Sequence, residues 1–391
     1  MIKLTKKELK ISRKIRKLKD QAGTHSPSIF TLKEKLPELN IKIDACFLSN
    51  PYATELFLEY FKKELLNDEK RFREILEFYP SQNEVISSSL SKKLELDVGN
   101  IFVGNGATEV IQAVMHSFIK QKIVINIPTF SPYYEYVNND KEIVYYKLLK
   151  EKNFRINIDE YLKFVKQNKP DMLVLINPNN PDGGYLSFDE LRKIISKLKH
   201  IENIVIDESF VHFAFEDQKK TLITAIELFK EFENIVVIKS MSKDFGIAGI
   251  RCGYGIMNKQ KVVRLLKNGY LWNSNGLAEY FFKLYKGAEF SIDYENVRKQ
   301  YIDHAQNFFQ ELSNISYIKV YPSKANFTLI ELLDGTSSAD FVSKLLIKYG
   351  IYTRNCSDKR GLNGEFVRIA GRTKEENKKI LYSIKHMYGK K

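Results

Sequence analysis

The sequence predicts an α/β fold in which a mostly parallel β-sheet lies between layers of helices and a smaller α+β domain follows it. Apolar segments typical of buried strands alternate with segments of helical periodicity, which is the pattern of a parallel sheet covered on both faces. The chain has 391 residues, enough for one large domain and a smaller one. The expected strands are 101–103, 122–127, 171–176, 204–206 and 235–238, and the expected helices are 1–20, 84–96, 110–119, 188–199, 221–229 and 277–312.

Composition limits the classes of function. The chain carries 62 Lys and Arg against 48 Asp and Glu, a formal net charge of +14. Because the lysines are spread over helical surface patterns, without a zinc-finger or RNA-binding motif, we expect no nucleic-acid partner. Cys46, Cys252 and Cys356 lie far apart without pairing or metal spacing, so we expect a reducing, cytoplasmic location and no metal site. No signal peptide and no bilayer-length apolar run is visible, so we expect no membrane association.

The N-terminal segment 1–20 combines many lysines and arginines with periodic apolar residues, which predicts a basic helix. We expect a solvated arm packed on the body of the protein, and contact with a membrane or a partner is the alternative.

One lysine carries the strongest chemical signal. Lys243 follows the apolar segment 235–238, between Ser240 and Ser242 and ahead of a glycine-rich turn, and Arg251 lies eight residues further on. An amine at the end of a buried strand loses water, which lowers its pKa and suits it to form a Schiff base. Ser240 and Arg251 would bind one phosphate group.

This segment resembles the lysine segment of fold-type-I pyridoxal-phosphate (PLP) enzymes of the aminotransferase class I/II kind. The resemblance covers nearly the whole chain and implies PLP as cofactor, a homodimer, and a seven-stranded type of sheet in the large domain. We expect an N-terminal arm at 1–45 that joins the small domain and the dimer contacts, a large PLP-binding domain at 46–275, and a small C-terminal domain at 276–391.

A glycine turn precedes the helix 110–119 and forms a candidate anion site. Gly106, Ala107 and Thr108 would cradle a phosphate at the positive end of the helix. By the resemblance they bind the PLP phosphate, Ser242 adds to this site, and Phe130 stacks on the pyridine ring.

Two later loops match the family's cofactor contacts. The segment 177–184 reads Asn-Pro-Asn-Asn-Pro-Asp-Gly-Gly, and by the resemblance Asn180 bonds the phenolic oxygen of PLP; Asp182 replaces the usual threonine. Asp207 ends a buried strand and is implied to pair with the pyridine nitrogen, which keeps the ring an electron sink. Phe210 stands where many aminotransferases have a tyrosine, which removes one hydrogen bond.

The resemblance also implies contacts for the substrate and across the dimer. Tyr79 matches a tyrosine that reaches the cofactor phosphate of the other subunit, with a packed aromatic as the alternative. His25, Asn50 and Asn275 match substrate contacts. The last lies in the turn Trp272-Asn273-Ser274-Asn275, one of several features closer to a decarboxylase than to an aminotransferase.

Two arginines of the C-terminal part suit a substrate with two anionic groups. Arginine binds carboxylate and phosphate bidentately. By the resemblance Arg368 reads the α-carboxylate and Arg354 a substrate phosphate.

The chain resembles two enzymes of this family, the threonine-phosphate decarboxylase of cobalamin synthesis and histidinol-phosphate aminotransferase. Both handle phosphorylated substrates, and the bond at Cα that stands perpendicular to the cofactor ring decides between the two reactions. We expect decarboxylation of serine phosphate or threonine phosphate to a phosphorylated amino alcohol such as ethanolamine phosphate. An aminotransferase acting on a phosphorylated substrate is the alternative. A non-catalytic binding module is a third hypothesis. It is disfavoured because the chain contains the expected catalytic and cofactor residues Lys243, Asp207, Asn180 and Arg251.

Overall fold

A seven-stranded sheet forms the centre of the large domain in a computed structural model, which describes residues 2–270 and 274–388. The strand order is β2-β8-β7-β6-β5-β3-β4, and only β8 runs against its neighbours. The predicted fold class is therefore confirmed. These strands are β2 (Ile101–Gly104), β3 (Lys122–Ile127), β4 (Glu142–Lys147), β5 (Met172–Ile176), β6 (Asn203–Asp207), β7 (Ile235–Ser240) and β8 (Gly253–Ile256).

Helices cover both faces of this sheet, which explains why its central strands are continuously apolar. In β5, Leu173 and Leu175 belong to one buried cluster, whereas Met172 and Val174 belong to another on the opposite face. The helices of this part are α3 (Pro51–Phe61, extended by a π-turn at Lys62–Leu66), α4 (Glu69–Glu77), α5 (Asn83–Leu94), α6 (Ala107–Phe118), α7 (Pro132–Glu135), α8 (Ile158–Asn168), α9 (Phe188–Lys197), α10 (Ile226–Phe229), α11 (Lys259–Lys267) and α12 (Gly276–Tyr285).

The C-terminal part folds around a four-stranded antiparallel sheet of order β12-β13-β10-β9 with its own apolar core. Its elements are α13 (Ala288–Ser313), β9 (Ile318–Val320), β10 (Phe327–Leu332), α14 (Ser338–Tyr349), β11 (Ile351–Tyr352), β12 (Arg354–Asn355), β13 (Phe366–Ala370) and α15 (Lys374–Met387). In the register of β12 and β13, Arg354 lies directly opposite Arg368. The small domain thus brings the two predicted arginines side by side.

The N-terminal segment packs on this small domain, and the predicted basic helix is confirmed as α1 (Lys6–Gln21). Thr5 and Glu8 close a capping box at its start, which satisfies free backbone N–H groups. Ile11 and Ile15 are buried in a cluster with Leu346 of α14. Helix α2 (Ile29–Lys35) and strand β1 (Ile43–Asp44), which pairs with β11, complete the segment.

Within 2–270 and 274–388, no helix has the length and apolar character needed to cross a membrane. The domain boundaries at 45 and 275 stay a prediction.

Two predicted helices differ in the structure. The helix expected over 277–312 is divided into α12 and α13, because Gly287 is extended and serves as the N-cap of α13. Of the helix expected over 221–229, only α10 forms. The reason is that the buried Glu208 carboxylate accepts hydrogen bonds from the Thr224 hydroxyl and from the Ala225 N–H, the latter at 2.6 Å, which ties this segment to β6.

Candidate active site

A cavity of about 230 Å³ lies where the carboxyl ends of β5, β6 and β7 face strands β12 and β13. Residues 24–26 and 46–48 complete its wall. The predicted residues that line it are His25, Ala107, Thr108, Phe130, Asn180, Asp207, Phe210, Ser240, Ser242, Lys243, Arg251, Arg354 and Arg368. These side chains are far apart in sequence and share one cavity, because ligand sites in such sheets form at the carboxyl ends of the strands.

Lys243 lies in the turn that follows β7, and its side chain is half-buried in the cavity wall. Loss of water around the ammonium, together with the positive charges of Arg368 and Arg251, lowers the pKa of Lys243 to about 8. An amine with a pKa near the working pH exchanges a proton readily with a reacting group. The structure therefore gives Lys243 the properties of a catalytic amine.

The turn that carries Lys243 is anchored on the start of α3. The Asn50 N–H donates to the Lys243 carbonyl oxygen at 2.9 Å, and the Thr54 hydroxyl donates to the carbonyl oxygen of Gly246 at 2.9 Å. The Asn50 side chain caps α3 by accepting from the N–H groups of Tyr52 and Ala53. Asn50 is buried, does not line the cavity and supports the lysine turn, and its Nδ2 has no partner among the described residues. Its predicted contact with the substrate stays a prediction.

The start of α6 forms an anion cradle. Gly106 is the N-cap, and because it has no side chain the free N–H groups of this turn stay open to a ligand. A Cβ at Gly106 would lie 2.4 Å from Nη2 of Arg251, so only glycine lets the guanidinium come this close. Arg251 also donates to the Ser242 hydroxyl at 3.4 Å and to the Ala248 carbonyl oxygen at 3.1 Å, which holds the cation beside the helix end.

Asp207 ends β6 as a buried carboxyl group with two fixed donors. The Tyr133 hydroxyl donates to its Oδ2 at 2.7 Å, and the Ser209 N–H donates to its Oδ1 at 2.8 Å. Burial raises the pKa of Asp207, while the hydrogen bonds from Ser209 and Tyr133 oppose this rise. Tyr133 was not among the predicted site residues. The only signal in the sequence was its position in the same loop as Phe130, directly after β3.

Arg368 of β13 joins the two halves of the cavity. Its Nη1 donates to Oδ1 of Asn180 at 2.6 Å, and its Nη2 donates to the Cys46 carbonyl oxygen at 2.8 Å. Its guanidinium carbon lies 5.2 Å from the centre of the Phe327 ring. Within the described residues Nε of Arg368 is buried and has no hydrogen-bond partner. A buried donor of this kind favours an anionic ligand.

Arg354 forms a second cationic centre together with Lys359. Nη2 of Arg354 donates to Oδ2 of Asp358 at 2.6 Å and to the Thr24 carbonyl oxygen at 2.8 Å. Lys359 lines the same cavity, and its Nζ donates to the same carbonyl oxygen at 3.4 Å. Burial and the charge of Arg354 lower the pKa of Lys359 to about 8. Sequence reasoning missed Lys359, although it lies in the turn between the strands of the two arginines.

Aromatic rings form the rest of the wall. Phe130 lies beside His25, with ring centroids 6.4 Å apart in an edge-to-face arrangement. His25 is exposed, and its Nε2 lies 3.7 Å from Oε2 of Glu135. Phe210 is buried and packs edge-to-face on Phe327 at 5.0 Å.

Two further predicted contacts lie away from the cavity wall. Asn275 caps α12 through its Oδ1, and its Nδ2 donates to the Ile250 carbonyl oxygen at 2.8 Å, so the structure assigns it a structural role. Tyr79 is 84 % exposed on the surface after α4. Trp272 and Asn273, which were part of the decarboxylase-like turn, lie outside the described residues.

PLP requires an amine that can be neutral, an anion site for its phosphate, and an acid for its pyridine nitrogen. One cavity meets these needs. It is lined by Lys243, by the buried Asp207, and by Ala107 and Thr108 at the start of α6 beside Arg251. A site of this kind at the carboxyl ends of a mostly parallel seven-stranded sheet defines a fold-type-I PLP-dependent enzyme.

Comparison with known proteins identifies the family. The model of the aminotransferase class I and II family matches residues 49–384, and the chain belongs to this PLP-dependent family. An L-serine phosphate decarboxylase of Campylobacter jejuni is 59 % identical over 98 % of both chains. An L-serine phosphate decarboxylase of Sulfurospirillum multivorans is 45 % identical over 94 % of both chains. Among solved structures, a decarboxylase from Sulfurospirillum multivorans superposes with a TM-score of 0.94 at 43 % identity, covering 98 % of this chain and 97 % of that one.

Proposed function

We propose that this protein removes the α-carboxyl group of O-phospho-L-serine as CO2 and releases ethanolamine phosphate. The observation that carries the proposal is the pair of cationic centres formed by Arg354 with Lys359 and by Arg368, because serine phosphate carries two anionic groups. The two similar L-serine phosphate decarboxylases support the same substrate and reaction.

Each cationic centre binds one of the two anionic groups of the substrate. Arg354 and Lys359 bind the phosphate, since both present N–H groups around one point of the cavity, the Thr24 carbonyl oxygen. Arg368 binds the α-carboxylate before it leaves. Asn180 and the Cys46 carbonyl oxygen fix its guanidinium through Nη1 and Nη2, and its Nε has no partner among the described residues. The two contacts orient Cα in the cavity that also holds the Lys243 amine.

Loss of CO2 leaves an electron pair at Cα. The cradle at Gly106 and Asp207 would hold PLP, which would supply an electron sink for such a pair. Lys243 then donates a proton to Cα, so one C–C bond breaks, one C–H bond forms, and the charge is balanced. With its pKa lowered to about 8, the Lys243 ammonium is acidic enough to donate and recovers its proton from solvent.

Proton NMR in heavy water with O-phosphoserine, and without any keto acid, tests the reaction. Ethanolamine phosphate carrying one deuterium at the former Cα supports decarboxylation, and threonine phosphate is then compared for rate. Turnover only after 2-oxoglutarate is added contradicts the proposal and favours the aminotransferase. A protein that stays colourless with added PLP contradicts both reactions and favours a binding module.

We also propose that the protein is a homodimer in which Tyr79 reaches the PLP phosphate site of the other subunit. A cytoplasmic location stays a prediction. Phe78 and Tyr79 are 64 % and 84 % exposed, and Leu76 on the preceding turn is 67 % exposed, an apolar surface that a second copy would cover.

Mixing two inactive variants tests the shared site. A hybrid of Tyr79→Ala and Lys243→Ala subunits contains one intact cavity, so mixing should restore part of the activity. A monomer in sedimentation velocity, or a mixture that stays inactive, contradicts the shared site.

A further inference from the structure

A second cavity, of about 410 Å³, lies between α1, α14 and the segment that follows β11. Ser26 lines both cavities, whereas Arg354 lines the active cavity and Asp358 the second one. Because Arg354 and Asp358 are joined by a 2.6 Å ion pair, this pair is a direct link between the two cavities.

Two polar atoms in the wall of the second cavity lack partners. Oγ1 of Thr353 and Oδ1 of Asp358 are buried and form no hydrogen bond with any part of the chain that the structure describes. Thr353 as a whole is 1 % exposed. Buried polar atoms are nearly always paired in proteins, so these two favour a polar ligand.

The remaining polar groups indicate the chemistry of that ligand. Lys19 and Arg16 of α1 supply positive charge, which Asp20 in the same wall and Asp340, paired with Arg16, offset in part. Ser26 and Ser343 supply hydroxyl groups, and together with Lys19 they suit a phosphate. Asp358, with its unpartnered carboxylate oxygen, suits an ammonium group.

We propose that the second cavity binds a small phosphate ester that carries an ammonium group, and that its occupation weakens substrate binding in the active cavity. Ethanolamine phosphate has this chemistry, so the identity of the ligand rests on the proposed function. The protein is then inhibited by its product through a site separate from the one in which the product forms.

The coupling follows from one shared oxygen. Oδ2 of Asp358 accepts from Nζ of Lys19 at 3.2 Å and from Nη2 of Arg354 at 2.6 Å. A phosphate in the second cavity attracts Lys19 away from Oδ2, while the ammonium group of the ligand pairs with Oδ1. Oδ2 then accepts from Arg354 alone. Arg354 is held more tightly by Asp358 and binds the substrate phosphate less well, so KM rises. By linkage, substrate weakens the binding of the product in the second cavity by the same factor.

Calorimetric titration of the PLP-loaded protein with ethanolamine phosphate tests the site. We expect two binding sites per chain in the wild type. Lys359→Met should weaken the one in the active cavity about 10-fold or more, as expected for loss of a charged hydrogen bond. Thr353→Val, which keeps the shape and removes the unpartnered hydroxyl, should weaken the other about tenfold, as expected for loss of one hydrogen bond in a buried site.

Lys17→Met is the matched control, since Lys17 is an exposed residue of α1 that does not line the cavity, and it should bind as the wild type does. Thermal melting checks that Thr353→Val is folded, and Lys19→Met serves as a second variant that should also weaken the second site. In rate measurements, the apparent KM should rise linearly with the concentration of ethanolamine phosphate in Thr353→Val and more steeply than linearly in the wild type, because two sites act there.

One site per chain in the wild type, or wild-type affinity in both Thr353→Val and Lys19→Met, overturns the inference. The proposed function fails separately. If O-phosphoserine is not decarboxylated but two sites are titrated, the second site stands without it. If decarboxylation occurs with one titrated site, the function stands and the second site does not.

Discussion

Replacing Lys359 by methionine tests whether this buried amine binds the substrate phosphate. Lys359 is 6 % exposed in the active cavity, with Nζ 3.4 Å from the same carbonyl oxygen that Arg354 contacts. Methionine keeps an unbranched, flexible stem and removes the charge. The fold should therefore tolerate the change, and the loss should fall on binding.

The expected magnitude follows from the type of bond that is lost. A hydrogen bond to a charged group contributes about 1.5–3 kcal/mol, and solvent screening at this buried position is small. That free energy corresponds to a rise in KM for O-phosphoserine of about 10- to 150-fold, with kcat nearly unchanged. Initial rates of CO2 release measure both. Arg360→Met is the control, because Arg360 is the next residue, is exposed and does not line the cavity.

The pH dependence of KM shows whether the Lys359→Met variant is impaired by the loss of the positive charge or by the change in side-chain shape. Lys359 has its pKa lowered to about 8, so the free protein carries this charge below pH 8 and loses it as the pH rises further. KM of the wild type should rise above this pH by up to about tenfold per pH unit, since one proton is involved. The methionine variant should lack this rise. A KM within about twofold of the wild type, or the same rise above pH 8 in both proteins, would refute the role of Lys359.

Two further changes test the PLP site. Gly106→Ala places a methyl group 2.4 Å from the Arg251 guanidinium, at a φ of +84° that favours glycine. The affinity for PLP, measured by titration of the apoprotein, should therefore fall about tenfold or more. Gly249→Ala is the control and should bind PLP normally, because no described atom lies within 4 Å of the added Cβ. Tyr133→Phe removes the 2.7 Å bond to Asp207 and should weaken PLP binding about tenfold. Loss of this donor raises the pKa of Asp207 further, so Asp207 takes up a proton at a higher pH than in the wild type. On acidification, activity should therefore begin to fall at a higher pH in the variant. If activity falls at the same acidic pH in both proteins, this role of Tyr133 is contradicted.

The parts of the fold and site that the sequence predicts depend on local patterns. Asn180, Asp207 and Lys243 follow apolar strands, and both the strands and their ends are visible in short windows of sequence. In a parallel sheet, ends of neighbouring strands meet at one edge, so their convergence follows from topology. Tyr133 could not be found in this way, because its role depends on a contact with a carboxylate 74 residues away.

Local patterns are ambiguous where one signal has two uses. Asn followed by Pro, as at Asn50, suits a loop at a substrate mouth and equally suits an N-cap followed by proline at the first helical position. The structure contains the second arrangement, in which the Asn50 side chain caps α3 and its N–H holds the carbonyl oxygen of Lys243. Only the position of α3 relative to the lysine turn distinguishes the two uses.

The pairing of Arg354 and Arg368 on adjacent strands bears on how the product leaves the active cavity. Like charges directly opposite on antiparallel strands destabilise a sheet, and each arginine here is offset by its own acceptors, Asp358 for Arg354 and Asn180 for Arg368. Arg368 still holds a buried Nε without a partner among the described residues. In the proposed binding mode, a substrate with a phosphate and a carboxylate compensates both cations, whereas the decarboxylated product compensates only the phosphate side. The chemical step therefore removes one of the two anchors, which favours release of the product from the cavity in which it forms.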